Sequence, residues 1–372
     1  MPVNRMNRDE FYAAMMPLDD ERLRKALWTV YWRGTAQVRE RIEEELRPQG
    51  RPRVPQKEAA PDPAEVLAEV TKFIDLARDG AYMGGDRQVH HTERSKWRHT
   101  FRRLADSALA ALSASDPAPA QEAVAEIVGL ACSMKESDYF HSEDPVEAAR
   151  FVVSDAVAAL WESILSQDGF AAFASQVPAQ LIGWESEYGW SCGGYGQVAE
   201  KETPLADVLA RLLTTPDTWR AFTESYLKAL EAAGHGEPEK PRAGYGSLDD
   251  ASYRREQRTG DLAAWHEVLL DRFAGTPEEE LLDRLVASRG LGGPELTFLQ
   301  AKLAERRGDR AQAAVLAALC LEKLPGHAGF LDLASEVGAD LPPRARVARE
   351  ESPVPAGEMR GRRRGAASMR SG

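Results

Sequence analysis

Proline stands directly after an Asp or a Thr at six places: Asp62-Pro63, Asp116-Pro117, Asp144-Pro145, Thr203-Pro204, Thr215-Pro216 and Thr276-Pro277. Asp and Thr side chains accept hydrogen bonds from the orphan amides of a helix's first turn. Proline suits the first helical position, where its missing N–H costs nothing. Glu65, Glu147 and Glu279 follow three of these pairs at the capping-box position. A chain that announces helix starts this often, with little strand patterning, is expected to be all-α. Helices are expected to start at Asp62, Asp144, Thr203 and Thr276.

The chain has 372 residues, 43% of them hydrophobic, enough for a packed core and more than one domain. Its net charge of −12 opposes a general nucleic-acid binder. The charge is uneven, because the stretch from Pro343 to the end carries eight Arg against three Glu. Cys132, Cys192 and Cys320 are scattered and odd in number, which suits neither a disulfide framework nor a zinc site. A reducing cytoplasm is therefore the expected setting. No signal-peptide core and no membrane-length apolar run is legible.

Composition divides the chain further. Residues 1–46 read as a short helical unit. There Asp19 is a cap and Leu23, Ala26, Leu27, Val30 and Tyr31 form an apolar stripe. Gly34 breaks that helix and a second follows through Val38, Ile42 and Leu46. Residues 47–61 hold four prolines and read as a linker. A central helical domain is expected over 62–232, with helices at 118–134, 145–166, 168–176, 204–213 and 216–232. The interval 177–202 alone has strand-like composition. A Gly- and Pro-bearing linker covers 233–248, helices resume over 249–341, and the basic tail 342–372 is expected to be disordered.

The segment from Pro294 to Pro325 has small residues at Ala301, Ala313 and Cys320, a Gly308-Asp309 turn, and a closing Pro325. In this pattern it resembles a tetratricopeptide repeat. It departs at Thr297, Gln300, Ala304 and Ala317, where that family places large residues. A second Gly-Asp, at Gly260-Asp261, precedes Pro277 by the same 17 residues that separate Gly308 from Pro325. Trp265, however, stands where a small residue belongs. The N-terminal pattern is similar to short units in bacterial helical-repeat proteins whose function is unassigned. The resemblance implies an irregular α-solenoid and a scaffold that binds peptides or proteins on a concave face.

Four further stretches bear on chemistry. In 183–197, Trp184, Tyr188, Trp190 and Tyr195 alternate with glycines, a composition suited to a partner-binding loop. The competing reading folds these aromatics into the core. His90, His91 and His99 lie close in sequence and, with nearby acids, form the alternative of a metal-dependent hydrolase or nuclease. Their spacing matches no metal motif, so no metal or cofactor is expected and no reaction is legible. The run from Ser137 to Asp144 reads as a polar turn whose last residue caps the next helix. Acid–base chemistry by its carboxylates is the competing reading. The arginines at 360 and 362–364 could touch nucleic acid or an acidic partner. Together these features favour a cytosolic protein-interaction scaffold.

Overall fold

A computed structural model describes residues 16, 19–35, 38–39, 42, 61–83, 88–134, 137–185, 196–235 and 250–351. The chain divides into two compact units, Met1–Ala59 and Ala60–Gly372. The fold is all-α, with no strand among the described residues.

In the first unit, α1 spans Asp20–Arg33. Asp19 caps it by accepting from the Arg22 amide at 2.8 Å, and Gly34 ends it. Both follow from local sequence.

The second unit begins with α2 (Pro63–Arg78), whose Asp62 cap accepts from the amides of Ala64 and Glu65. A single turn, α3 (His91–Arg94), leads into α4 (Trp97–Ala111) and α5 (Ala118–Ser133). Helices α2, α4 and α5 pack on one another around Val70, Phe73, Phe101, Leu104, Val124 and Ile127. Asp144 caps the short α6 (Pro145–Ala149) through the Glu147 amide.

The helix expected over 145–166 is broken. Arg150 takes a left-handed conformation, φ 53° and ψ 42°, and ends α6. A new helix, α7 (Val153–Ser163), then starts. It runs into a π turn, Ile164–Asp168, before α8 (Gly169–Trp184). That last helix passes straight through Pro178, where the sequence pointed to a stop near 176. Phe173, Ala174, Val177, Pro178 and Leu181 are all buried, and their burial offsets the lost amide. The interval 177–202 therefore starts as helix and ends as turn, without a strand among its described residues.

The Thr-Pro sites behave unevenly. Thr215 is placed as expected, with its hydroxyl accepting from the Thr218 amide before α10 (Pro216–His235). Thr203 is not a cap, because α9 (Leu205–Leu212) follows Pro204 and the Thr203 amide donates to Ser154 Oγ. Thr276 turns its hydroxyl back to the Phe273 carbonyl at 2.9 Å. The helix expected there starts later, as α13 (Glu280–Val286). Asp116 likewise provides no side-chain cap for α5.

Helix α11 (Asp250–Asp261) is followed by α12 (Ala263–Phe273), which adds Trp265, Leu269, Leu270 and Phe273 to the main core. Gly260-Asp261 lies at the end of α11, which packs chiefly on α14 (Gly293–Arg306) and far less on α12. The upstream Gly-Asp thus makes no tight hairpin. The downstream one does. Gly308 adopts φ +79°, a conformation glycine accepts freely, and Asp309 caps α15 (Arg310–Lys323) through the Gln312 amide. Ala301, Ala313 and Cys320 are fully buried where α14 and α15 pack. Ala313→Leu is expected to overpack this crossing and cost about 1–3 kcal/mol. An unchanged thermal melt would contradict that placement.

Helix α14 is buried on two faces. Leu299 and Leu303 join the main core, while Ala301 and Ala304 join a second, smaller cluster. The second cluster also holds Phe330 and Leu333 of α16 (Ala328–Val337) and Ala345 of α17 (Pro343–Glu351). The segment from 342 onward, expected to lack structure, therefore opens with a helix anchored by a fully buried alanine. The arginines at 360 and 362–364 lie outside the described residues.

Candidate functional site

The aromatic segment has a built base. Trp184 ends α8, half-buried against the main core, with its carbonyl 3.9 Å from Cys132 Sγ. Tyr188, Trp190 and Tyr195 lie outside the described residues. On either side, three glutamates hold the chain by accepting backbone N–H groups. Glu185, buried, accepts from the Ala206 amide at the start of α9. Glu147 accepts from the amides of Gln197 and Val198 at 3.1 and 2.9 Å. Glu202 accepts from the amides of Val153 and Ser154 at 2.7 and 2.9 Å, the first turn of α7. A carboxylate at a helix N-terminus satisfies orphan amides and opposes the positive end of the helix dipole. Burial pushes the Glu202 carboxyl above its ordinary range, against the pull of the Ser154 and Val153 N–H groups. Gly196 stands at φ +152°, and a side chain there would run into the Glu147 carboxylate. Both ends of the aromatic segment are thereby tied to a framework of α6, α7 and α9.

The first unit presents an aromatic face on α1. Trp28 stacks on Tyr31 and on Trp32, with ring centroids 5.6 and 5.7 Å apart. Trp28 is 58% exposed and Trp32 68% exposed, and Leu27 and Val30 are exposed as well. At 100° per residue, Arg22, Lys25, Thr29 and Arg33 share the remaining arc of α1. The sequence reading found the stripe of Leu23, Ala26, Leu27, Val30 and Tyr31 but passed over the two tryptophans beside it. The available signal was width: Leu27, Trp28, Val30, Tyr31 and Trp32 are too many large apolar residues for one buried stripe.

The histidines do not converge. His90 caps α3, its Nδ1 accepting from the Thr92 amide at 3.4 Å, and its ring lies 4.3 Å from that of His91. His99 sits on α4 beside Arg102, Arg103 and Asp106 in an open cleft. Among the described residues, no group of three His, Cys, Asp or Glu could hold a metal ion. In the run 137–144, Asp144 is a cap, while Phe140 is 2% exposed and stacks on Trp97 at 4.1 Å. Burial, and then the charge of Glu295, pushes the Cys320 thiol up to about 12, which keeps it protonated and unreactive at neutral pH.

Among the described residues, no helix is long and apolar enough to cross a membrane. No protein-family model, curated protein or solved structure matches the chain.

Proposed function

We propose that this chain is a protein-interaction scaffold whose first unit docks a protein partner through the aromatic face of α1. One observation carries the reading: Trp28 and Trp32 are stacked on neighbours yet more than half exposed. Large exposed apolar side chains mark interaction sites, and tryptophan dominates binding hot spots. The tetratricopeptide-like hairpin of α14 and α15 belongs to the same reading, as a repeat-like element of the scaffold. The anchored ends of the aromatic segment at 184–195 support it as a second recognition surface. The scattered cysteines support a cytosolic setting.

The test is a double variant, Trp28→Ala with Trp32→Ala. A partner is first captured from cells of the source organism and then rebuilt from purified components. Hot-spot truncation costs about 2 kcal/mol or more, so affinity is expected to fall at least about thirtyfold. Because both side chains are exposed, folding stability should move by only about 0.5 kcal/mol. Unchanged affinity for the purified partner would refute this role of α1, and failure to reconstitute any partner would retire the scaffold reading.

A further inference from the structure

The π turn between α7 and α8 borders a cleft of about 370 Å³ that no feature above uses. Its floor includes Leu160 and Ile164, both buried, and its polar lining is Gln121, Glu122, Asp168, Gln176 and Gln180. Among the described residues, no Lys, Arg or His lines it. A π turn accommodates one more residue than an α turn and recurs at functional sites. Here it ends at Asp168, on the rim of the cleft, and Gly169 at φ +81° starts α8.

The polar groups are held in place. Gln121 is 9% exposed, and its Nε2 donates to Ser163 Oγ at 3.2 Å and to Asp168 Oδ2 at 2.9 Å. This bonding fixes the amide, and its carbonyl oxygen takes no hydrogen bond among the described residues. Asp168 offers its second carboxylate oxygen. The Trp161 indole N–H donates to Gln180 Oε1 at 2.9 Å, which leaves the Gln180 amide nitrogen as a donor. A fixed carbonyl, two carboxylates and a free amide N–H₂ ask for a ligand rich in N–H donors and carrying positive charge. It also needs one acceptor of its own.

We infer that this cleft binds the guanidinium of an arginine residue, with the arginine's own peptide carbonyl accepting from Gln180. The guanidinium supplies five N–H donors in a plane and no acceptor, which matches a carbonyl and carboxylates set side by side. Its apolar stem suits the floor of Leu160 and Ile164. This inference deepens the scaffold reading and rests on it for the source of the arginine: a peptide segment of the partner.

The probe is N-acetylarginine N-methylamide, titrated into the full chain while the methyl resonances of Leu160 and Ile164 are followed. Saturable shifts at those methyls are expected at millimolar probe. The citrulline analogue, which has the same shape without the charge, should bind about tenfold more weakly, since charged hydrogen bonds are the stronger ones. Asp168→Asn should weaken arginine binding about tenfold as well. Asn can still accept from Gln121, and Asp168 is exposed, so its melt should match the wild type. Equal binding of arginine and citrulline probes, full binding by Asp168→Asn, or no saturable shift each overturns the inference. Probe binding without a reconstituted partner leaves the cleft standing and the scaffold reading failed. A partner held by α1 without probe binding gives the reverse.

Discussion

Acidification is expected to destabilise the second unit by up to roughly 5 kcal/mol through His266 alone. This side chain and Tyr226 are both fully buried, with the hydroxyl 2.9 Å from Nε2. Burial pushes the imidazole down from 6.5 to about 3, and it pushes the Tyr226 hydroxyl up, so the hydroxyl keeps its proton. A protonated imidazole could not accept from that hydroxyl. The sign follows from proton binding. Between pH 6.5 and about 3 the unfolded chain takes up a proton that the folded chain refuses, so stability falls as pH falls. Above 6.5 the contribution is present in full, and below about 3 the loss is complete. His266→Gln can still hydrogen-bond Tyr226 but cannot titrate. Urea unfolding at pH 7, 5 and 4 should show the wild-type curve dropping toward, then below, that of the variant. Two curves that fall in parallel would rule out His266 as the source.

The second large effect is at Phe140. Phe140→Ala is expected to cost about 3–5 kcal/mol, the range for emptying a buried phenylalanine site. The ring meets Trp97 at 4.1 Å with planes 17° apart, Tyr82 at 5.3 Å and Phe73 at 5.9 Å. It therefore joins α2, α4 and the connection between them. Asp138→Asn, two residues away and exposed, should change stability by less than about 0.5 kcal/mol. A denaturant midpoint that moves equally little in both variants would show that the aromatic cluster does not hold this connection.

These two cases mark what local sequence can and cannot express. Asp19, Asp62, Asp144 and Asp309 each act on amides two or three residues ahead, so the sequence alone displays them. The same holds for the all-α class and for the α14–α15 hairpin, whose small residues and Gly-Asp turn lie within one short segment. Thr203 and Thr276 failed as caps because a hydroxyl or an amide found a better partner outside the expected turn. Phe140 sits in a run that looks polar, and only the fold brings three rings to it. Tyr226 and His266 are 40 positions apart. The base of the aromatic segment was equally hidden, since Glu185 and Glu202 look like ordinary surface acids and Glu147 reads as a capping-box partner of its own helix rather than an acceptor for the amides of Gln197 and Val198.

The distant glutamates also set an order of events during synthesis. Helix α2 carries its own start signal and can close its first turn as soon as it emerges. The first amides of α7 instead wait for Glu202, made 49 positions after Val153. Helix formation is limited by its costly first turn, so an uncapped short helix is only marginally populated. Until those residues are made, the first amides of α7 lack the carboxylate that accepts from them. Its first amides gain their carboxylate partner only when the segment that carries Glu202 folds back onto them. A chain stopped before that residue leaves the amides of Val153 and Ser154 without this acceptor.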